Sequence, residues 1–175
     1  NVAWFTSLTW GGPQVDTLEH QALIPIEGLV PVEMGFHRGP EGALPARLRD
    51  QSCYPQLFAA AFPEKNGEIS MDTITMALAA FQRTLKPRRS AWSHFVAGER
   101  NALDAQELRG LHLFRTKGGC ANCHSGPAFS DGGLHNLGLT YYGRKYEDLG
   151  RYEVTGEVGD VGRFRTPSLL GVGRT

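Results

Sequence analysis

The sequence is short of several things at once. Its 175 residues include only three cysteines, too few for a disulfide scaffold to stand in for a core. It has no charge of either sign in excess, since 18 Lys and Arg face 18 Asp and Glu. That balance speaks against a nucleic-acid-binding function and gives no reason to expect an anionic membrane surface as partner. No apolar run of about 18 residues occurs, so no stretch reads as a membrane span. There are no internal repeats and no low-complexity segments, and no stretch reads as a secretory leader. What is present is ordinary for a globular chain: 41% hydrophobic and 21% charged residues. The 22 glycines and 10 prolines are many for a compact helical bundle, so long loops are expected.

Two of the three cysteines lie together, in "GGCANCHSG" at 118–126. Cys120, Cys123 and His124 form the pattern C-x-x-C-H, which reads as a c-type haem attachment site. Two thiols three positions apart can bond the two vinyl groups of a haem. The next residue can then turn its imidazole onto the iron, for which His is an established ligand. A zinc site would want four N or S ligands, and no second C-x-x-C occurs. A thioredoxin-like pair would want a βαβ setting, which the flanking residues do not suggest. A structural disulfide would leave His124 unexplained. Covalent haem attachment in bacteria implies export, so the chain is expected to be a mature or truncated form. The third thiol, Cys53 in "DQSCYPQLFAAAF", is expected to be a buried small hydrophobe.

The fold class expected is mainly α: a cytochrome c-like haem domain with long loops, preceded by a helical segment. "DTLEHQALIP" reads as a short helix with Asp16 as N-cap and Pro25 limiting its end. "ALPARLRDQ" and "YPQLFAAAF" read as two more. In "SMDTITMALAAFQRTL", Met71, Ile74, Leu78, Phe81 and Leu85 recur at three- and four-residue steps and predict one apolar face. Ser70 is its expected N-cap and Pro87 its stop. Asp104 with Glu107 gives a capping-box start to the helix that runs into the haem loop. Gly118 and Gly119 stop that helix and let backbone approach a flat ligand. Residues 125–163 read as a long loop over a cofactor, in which only "RYEVTG" alternates like a strand. Such a loop is uncommon unless functional.

Taken in order, "LTW", "DTLEHQALIPI", "PVEMG", "AFQRTL", "GLHLFRTKGGCANCHSGPAFSD", "HNLGL" and "VGRFRTPSLLGV" resemble the bacterial di-haem cytochrome c peroxidases and the related MauG-like enzymes. The resemblance covers nearly the whole chain and is nearest to the subgroup associated with methanobactin biosynthesis. C-x-x-C-H is shared by many cytochromes; "PVEMG" and "FRTPSL" are more specific. Members of the family carry two c-type haem domains. The resemblance therefore implies a fragment in which 1–100 is the inter-haem segment with helices packing on the haem domain, and 101–175 is a truncated C-terminal haem domain. One haem c belongs to this fragment and two to a full protein.

The resemblance assigns roles residue by residue. Cys120 and Cys123 match the thioether positions and His124 the proximal iron ligand. Trp10 matches the tryptophan that passes electrons between the haems. Gln21 and Glu33 match the polar pair over the peroxide-binding haem, with Glu33 as the acid–base group. The backbone near Arg165 to Pro167 matches part of a calcium site. From the residues alone, Glu33 reads as a helix-start carboxylate and Trp10 as a packing residue, and Gln21 could hydrogen-bond a distal water or cap a turn. His135 could contact a haem propionate or serve as a ligand, and Arg163 and Arg165 could pair with haem propionates or lie on the surface. His20, His37, His94 and His112 are expected to be exposed or to pack.

The function implied is a periplasmic di-haem peroxidase acting on hydrogen peroxide. Its partner would be a small electron donor such as a cytochrome c or cupredoxin, and a homodimer is compatible with it. Two other readings stand beside it: a MauG-like oxidase that modifies a tryptophan of a protein substrate, and a single-haem electron-transfer module.

Overall fold

The helix with the strongest periodicity, α4 (Met71–Thr84), anchors one part of the computed structural model. The structure describes residues 2–12, 15–29, 32–36, 40 and 43–174. His37, and Pro31 just before the "VEMG" segment, lie outside them. The chain is mainly helical and divides into two compact units. One holds residues 5–8 and 14–84; the other holds 1–4, 9–13 and 85–175.

In the first of these, α1 (Leu18–Glu27) packs along α4. Its N-cap is Thr17, one residue later than the Asp16 expected, and the Thr17 hydroxyl accepts the His20 N–H at 3.2 Å. Pro25 lies inside the helix rather than ending it. Proline removes only one ladder bond, and Gly28 closes the helix by donating its N–H to Ile24 at 2.7 Å. Arg83 clasps Glu19 with two bonds, 2.8 and 3.1 Å, tying α4 to α1. The two expected short helices form as α2 (Ala43–Arg49) and α3 (Tyr54–Ala61).

The core of this unit is Phe58, Phe62, Ile69 and Ile74, with Leu44, Leu48 and Met71 packed on it. The Phe58 and Phe62 rings lie 5.6 Å apart. Ser70 and Thr73 cap α4 reciprocally, each backbone N–H meeting the other's hydroxyl. The apolar stripe read from the sequence is only half right. Thr73, Ile74, Thr75 and Ala79 are the buried positions, whereas Phe81 is 62% exposed and Leu85 half exposed. Small side chains let α4 approach its neighbours, so the buried face is turned one residue from the bulky stripe. Cys53 is exposed rather than buried. It precedes α3, whose one buried residue is Phe58.

The other unit carries the C-x-x-C-H motif. α5 (Ala91–Val96) starts in a capping box between Ser90 and Ser93. α6 (Ala105–Arg115) starts in the one expected between Asp104 and Glu107: Asp104 accepts the N–H groups of Gln106 and Glu107 at 2.7 and 2.8 Å, and Glu107 reaches back to the Asp104 N–H at 2.9 Å. The region 125–163 is largely irregular, as expected. Its strand β1 (Leu134–Asn136) pairs antiparallel with β2 (Arg163–Arg165), Leu134 facing Arg165. "RYEVTG" is not a strand. Tyr152–Thr155 form a one-turn helix, α7, closed by Gly156 at φ 68°. Its alternation spans too few residues to tell the two periods apart. Gly162 matters here: a Cβ at that position would collide with the Thr140 side chain. Only glycine lets the loop cross so closely.

Candidate haem-binding site

The site begins where α6 ends. The Thr116 N–H closes the helix on His112, and Gly119 turns the chain at φ 64°, a conformation that favours glycine. A single turn, Cys120–Asn122, follows. The His124 N–H then donates to the Cys120 carbonyl at 2.9 Å. This tight turn fixes the spacing of the two thiols and the imidazole. Both thiols are free, with Cys120 exposed and Cys123 half-buried.

Cys120, Cys123 and His124 line one pocket of about 520 Å³ together with Trp10, Leu137, Leu139 and Phe164. Pockets for small molecules and cofactors run from roughly 300 to 1,000 Å³. Its apolar walls are open: Leu137 is 75% exposed, Leu139 70% and Trp10 60%. The helix leading into the motif, α6, buries no residue. Walls of this kind suit a flat apolar group that would cover them. The His124 ring fits such a group too. Its Nδ1 meets the Phe129 carbonyl at 2.9 Å, and a metal-bound imidazole ordinarily donates its second N–H in this way, which fixes tautomer and ring plane. Nε2 is the atom left for iron. The residues present therefore fit a haem c.

Trp10 joins the same pocket through the backbone of β2. The Arg165 N–H donates to the Trp10 carbonyl at 2.7 Å, and the guanidinium lies 5.5 Å above the Trp10 ring. Arg165 is buried, and burial holds its pKa below the ordinary arginine value. Its side chain donates to the carbonyls of Thr9 and Thr166. Arg163 is exposed and pairs with Asp160 at 3.5 Å.

His135 also lines this pocket, and its Nε2 lies 2.8 Å from Asp131. Burial works to raise the Asp131 pKa. The Gly133 N–H, the His135 ring and the Thr166 hydroxyl outweigh it and hold the carboxyl below the usual range. Donor atoms of Cys123, Asp131 and His135 lie within 4.8 Å of one another. The His135–Asp131 pair thus stands beside the Cys123 thiol. Sequence reasoning passed over Asp131. The signal was "SDGGLH", an Asx-type turn four residues before a histidine.

Gln21 and Glu33 belong to the other unit. Gln21 is half-buried on α1 and lines an apolar groove with Met34, Leu78 and Phe58. The Met34 N–H donates to Pro25 at 2.9 Å, which pins the "VEMG" segment beside α1. Glu33 itself is exposed. His20 and His112 are exposed, as expected, and His94 lies 2.7 Å from Glu99.

Comparison with known proteins agrees with this geometry. The di-haem cytochrome c peroxidase family profile matches residues 1–101. The chain is 37% identical to the methylamine utilization protein MauG of Methylophilus methylotrophus, over 97% of this chain and 48% of that protein. It is 32% identical to the cytochrome c551 peroxidase of Nitrosomonas europaea, over 93% of this chain and 46% of the other. Among solved structures, a MauG-like protein associated with microbial copper homeostasis superposes with a TM-score of 0.84 at 34% identity, over 97% of this chain and 53% of that one. The chain spans about half the length of the curated relatives it matches.

Proposed function

From membership in the di-haem cytochrome c peroxidase family, to which this chain belongs, we propose that it is the inter-haem segment and second haem domain of a periplasmic enzyme that reduces or activates hydrogen peroxide. Residues 101–175 form the haem domain in this reading, and 1–100 the inter-haem segment. The observation that carries it is the convergence of Cys120, Cys123, Trp10 and a His124 ring fixed on the Phe129 carbonyl in one pocket.

When bound, the haem supplies one-electron redox chemistry at its iron. The residues do the rest. Cys120 and Cys123 tether the group by thioether bonds. His124 offers Nε2 to the metal while Phe129 holds Nδ1. Trp10 presents an oxidisable indole at the pocket wall, and the nearby Arg165 guanidinium makes that indole harder to oxidise. Glu33 would serve as the acid–base group that transfers a proton between the two oxygens of peroxide. Gln21 hydrogen-bonds the distal water. A calcium ion would take backbone carbonyls near Arg165 to Pro167. The Thr166 carbonyl already accepts from Ser130 at 2.7 Å, which leaves its neighbours as the donors.

The experiment is peroxide turnover by the full-length enzyme with a reduced small cytochrome c or cupredoxin as donor. The Glu33→Gln variant is expected to lose roughly 10²–10⁴ in rate with its haem spectra unchanged. Parental turnover in that variant would remove Glu33 from the mechanism.

A second reading is favoured by one finding, that relatives at 37% and 36% identity are both MauG proteins. In it the same oxidising equivalents modify a tryptophan of a protein substrate. Slow turnover with every small donor, alongside rapid oxidation by peroxide alone, would select this reading.

A further inference from the structure

Behind His124 lies a second pocket, walled by aromatic rings that the haem reading does not use. Phe129, whose carbonyl holds the His124 ring, has its own ring 5.1 Å from Trp92 and 6.1 Å from Phe114. Phe129 keeps a φ of 49°, a conformation that costs a bulky residue and persists only where its surroundings impose it. It thereby presents its carbonyl to His124 and its ring to Trp92. Trp92 is half-buried on α5, locked by the Ser90–Ser93 capping box. On its other side it walls an open groove beside Arg88 and Arg89, both exposed, as is Lys86.

The charge around it is not that of the chain as a whole. The neutral sequence is divided. The unit holding the haem motif carries thirteen Lys and Arg against nine Asp and Glu, and the other unit five against nine.

We propose that Trp92 is an electron entry port on the proximal side of His124, and that the groove bordered by Arg88 and Arg89 docks a small acidic redox protein that supplies the electrons. This rests on the haem assignment above. Among the described residues the indole is the one side chain that walls both the pocket behind His124 and this groove, and indole is the most readily oxidised of the rings in the path. Each peroxide takes two electrons and two protons to become two waters. For each electron, the indole passes one inward to the oxidised haem centre and is refilled by one from the docked donor, so Trp92 is unchanged after every transfer. The exposed cations steer a donor of opposite charge.

The test uses the full-length protein with its haems attached, checked by pyridine haemochrome and intact mass. The probes are reduced plastocyanin, which is acidic, and reduced mitochondrial cytochrome c, which is basic. At low salt the R88E/R89E double variant is expected to slow plastocyanin oxidation roughly tenfold and to speed that of cytochrome c, both effects fading as salt rises. Trp92→Phe is expected to slow plastocyanin roughly tenfold at any salt, with the haem spectrum and midpoint potential parental. After peroxide without donor, peptide mass mapping is expected to find the Trp92 indole oxygenated.

Parental rates in R88E/R89E would overturn the docking surface, including the case in which a continuation of this chain covers the groove. Parental rates in Trp92→Phe would overturn the port, as would an unoxidised Trp92 in the parent protein after peroxide. Since the double variant alters no packed residue, the proposal stays testable even if Trp92→Phe folds poorly. A protein with no haem at Cys120 and Cys123 would instead defeat the assignment on which it rests.

Discussion

Cys123 and Asp131 are where single atoms decide most. If both thiols tether one group, Cys123→Ser leaves a haem held by Cys120 alone. Its pyridine haemochrome band should move to longer wavelength while the mass still shows one haem at this motif. An unmoved band would mean that Cys123 is not a tether. Asp131 has its pKa lowered by the Gly133 N–H, the His135 ring and Thr166 against the opposing effect of burial. A carboxyl with a depressed folded-state pKa contributes stability that is present above its unfolded value, near pH 4 for an ordinary Asp at about 3.9. The contribution is lost as pH falls through the folded value. Asp131→Asn should therefore flatten the acid limb of a urea-midpoint profile and leave no pH-dependent loss from this site. At this scale the sequence was legible for Cys120, Cys123 and His124, because covalent chemistry demands a fixed spacing. It was not legible for Asp131, Phe129 or Trp92. Their contacts with His135, His124 and Arg115 join residues by spatial neighbourhood, and no short pattern encodes that.

The helices show which local signals are decisive and which are not. The capping box of α6 was readable at Asp104 and Glu107 because both halves of it lie within four residues and answer to backbone geometry alone. The buried face of α4 was not. Periodicity marks which residues are apolar, and tertiary packing decides which side meets a neighbour. Here Ala79 and Thr73 are fully buried while Phe81 stands out. Ala79→Leu in the full-length protein should cost about 1–3 kcal/mol by overpacking, and Phe81→Ala less than about 0.5 kcal/mol. Urea unfolding checks both. The opposite ranking would restore the stripe read from the sequence. "RYEVTG" carries the same lesson. Four residues of alternation fit either period, and the helix is settled by Gly156 and by the bond of its N–H to Tyr152 at 2.8 Å.

At the scale of the molecule, the haem serves as a piece of core in the proposed reading. The unit built around residues 85–175 has few buried side chains along α6 and the loop that follows, and its apolar walls converge on one pocket. The family was legible because its motifs recur in order along nearly the whole chain, from "LTW" to "VGRFRTPSLLGV". What the sequence could not display was the division of charge between the two units, which emerges only when the fold assigns residues 9–13 and 85–175 to one body.

The most direct measurement is a pyridine haemochrome spectrum with intact mass on the full-length gene product exported from a haem-maturing host. The account predicts two covalent haems, one of them released from the Cys120–His124 motif when both thiols are replaced by serine. A single haem would contradict the peroxidase assignment and leave an electron-transfer domain in which Trp10 and Glu33 serve structure alone.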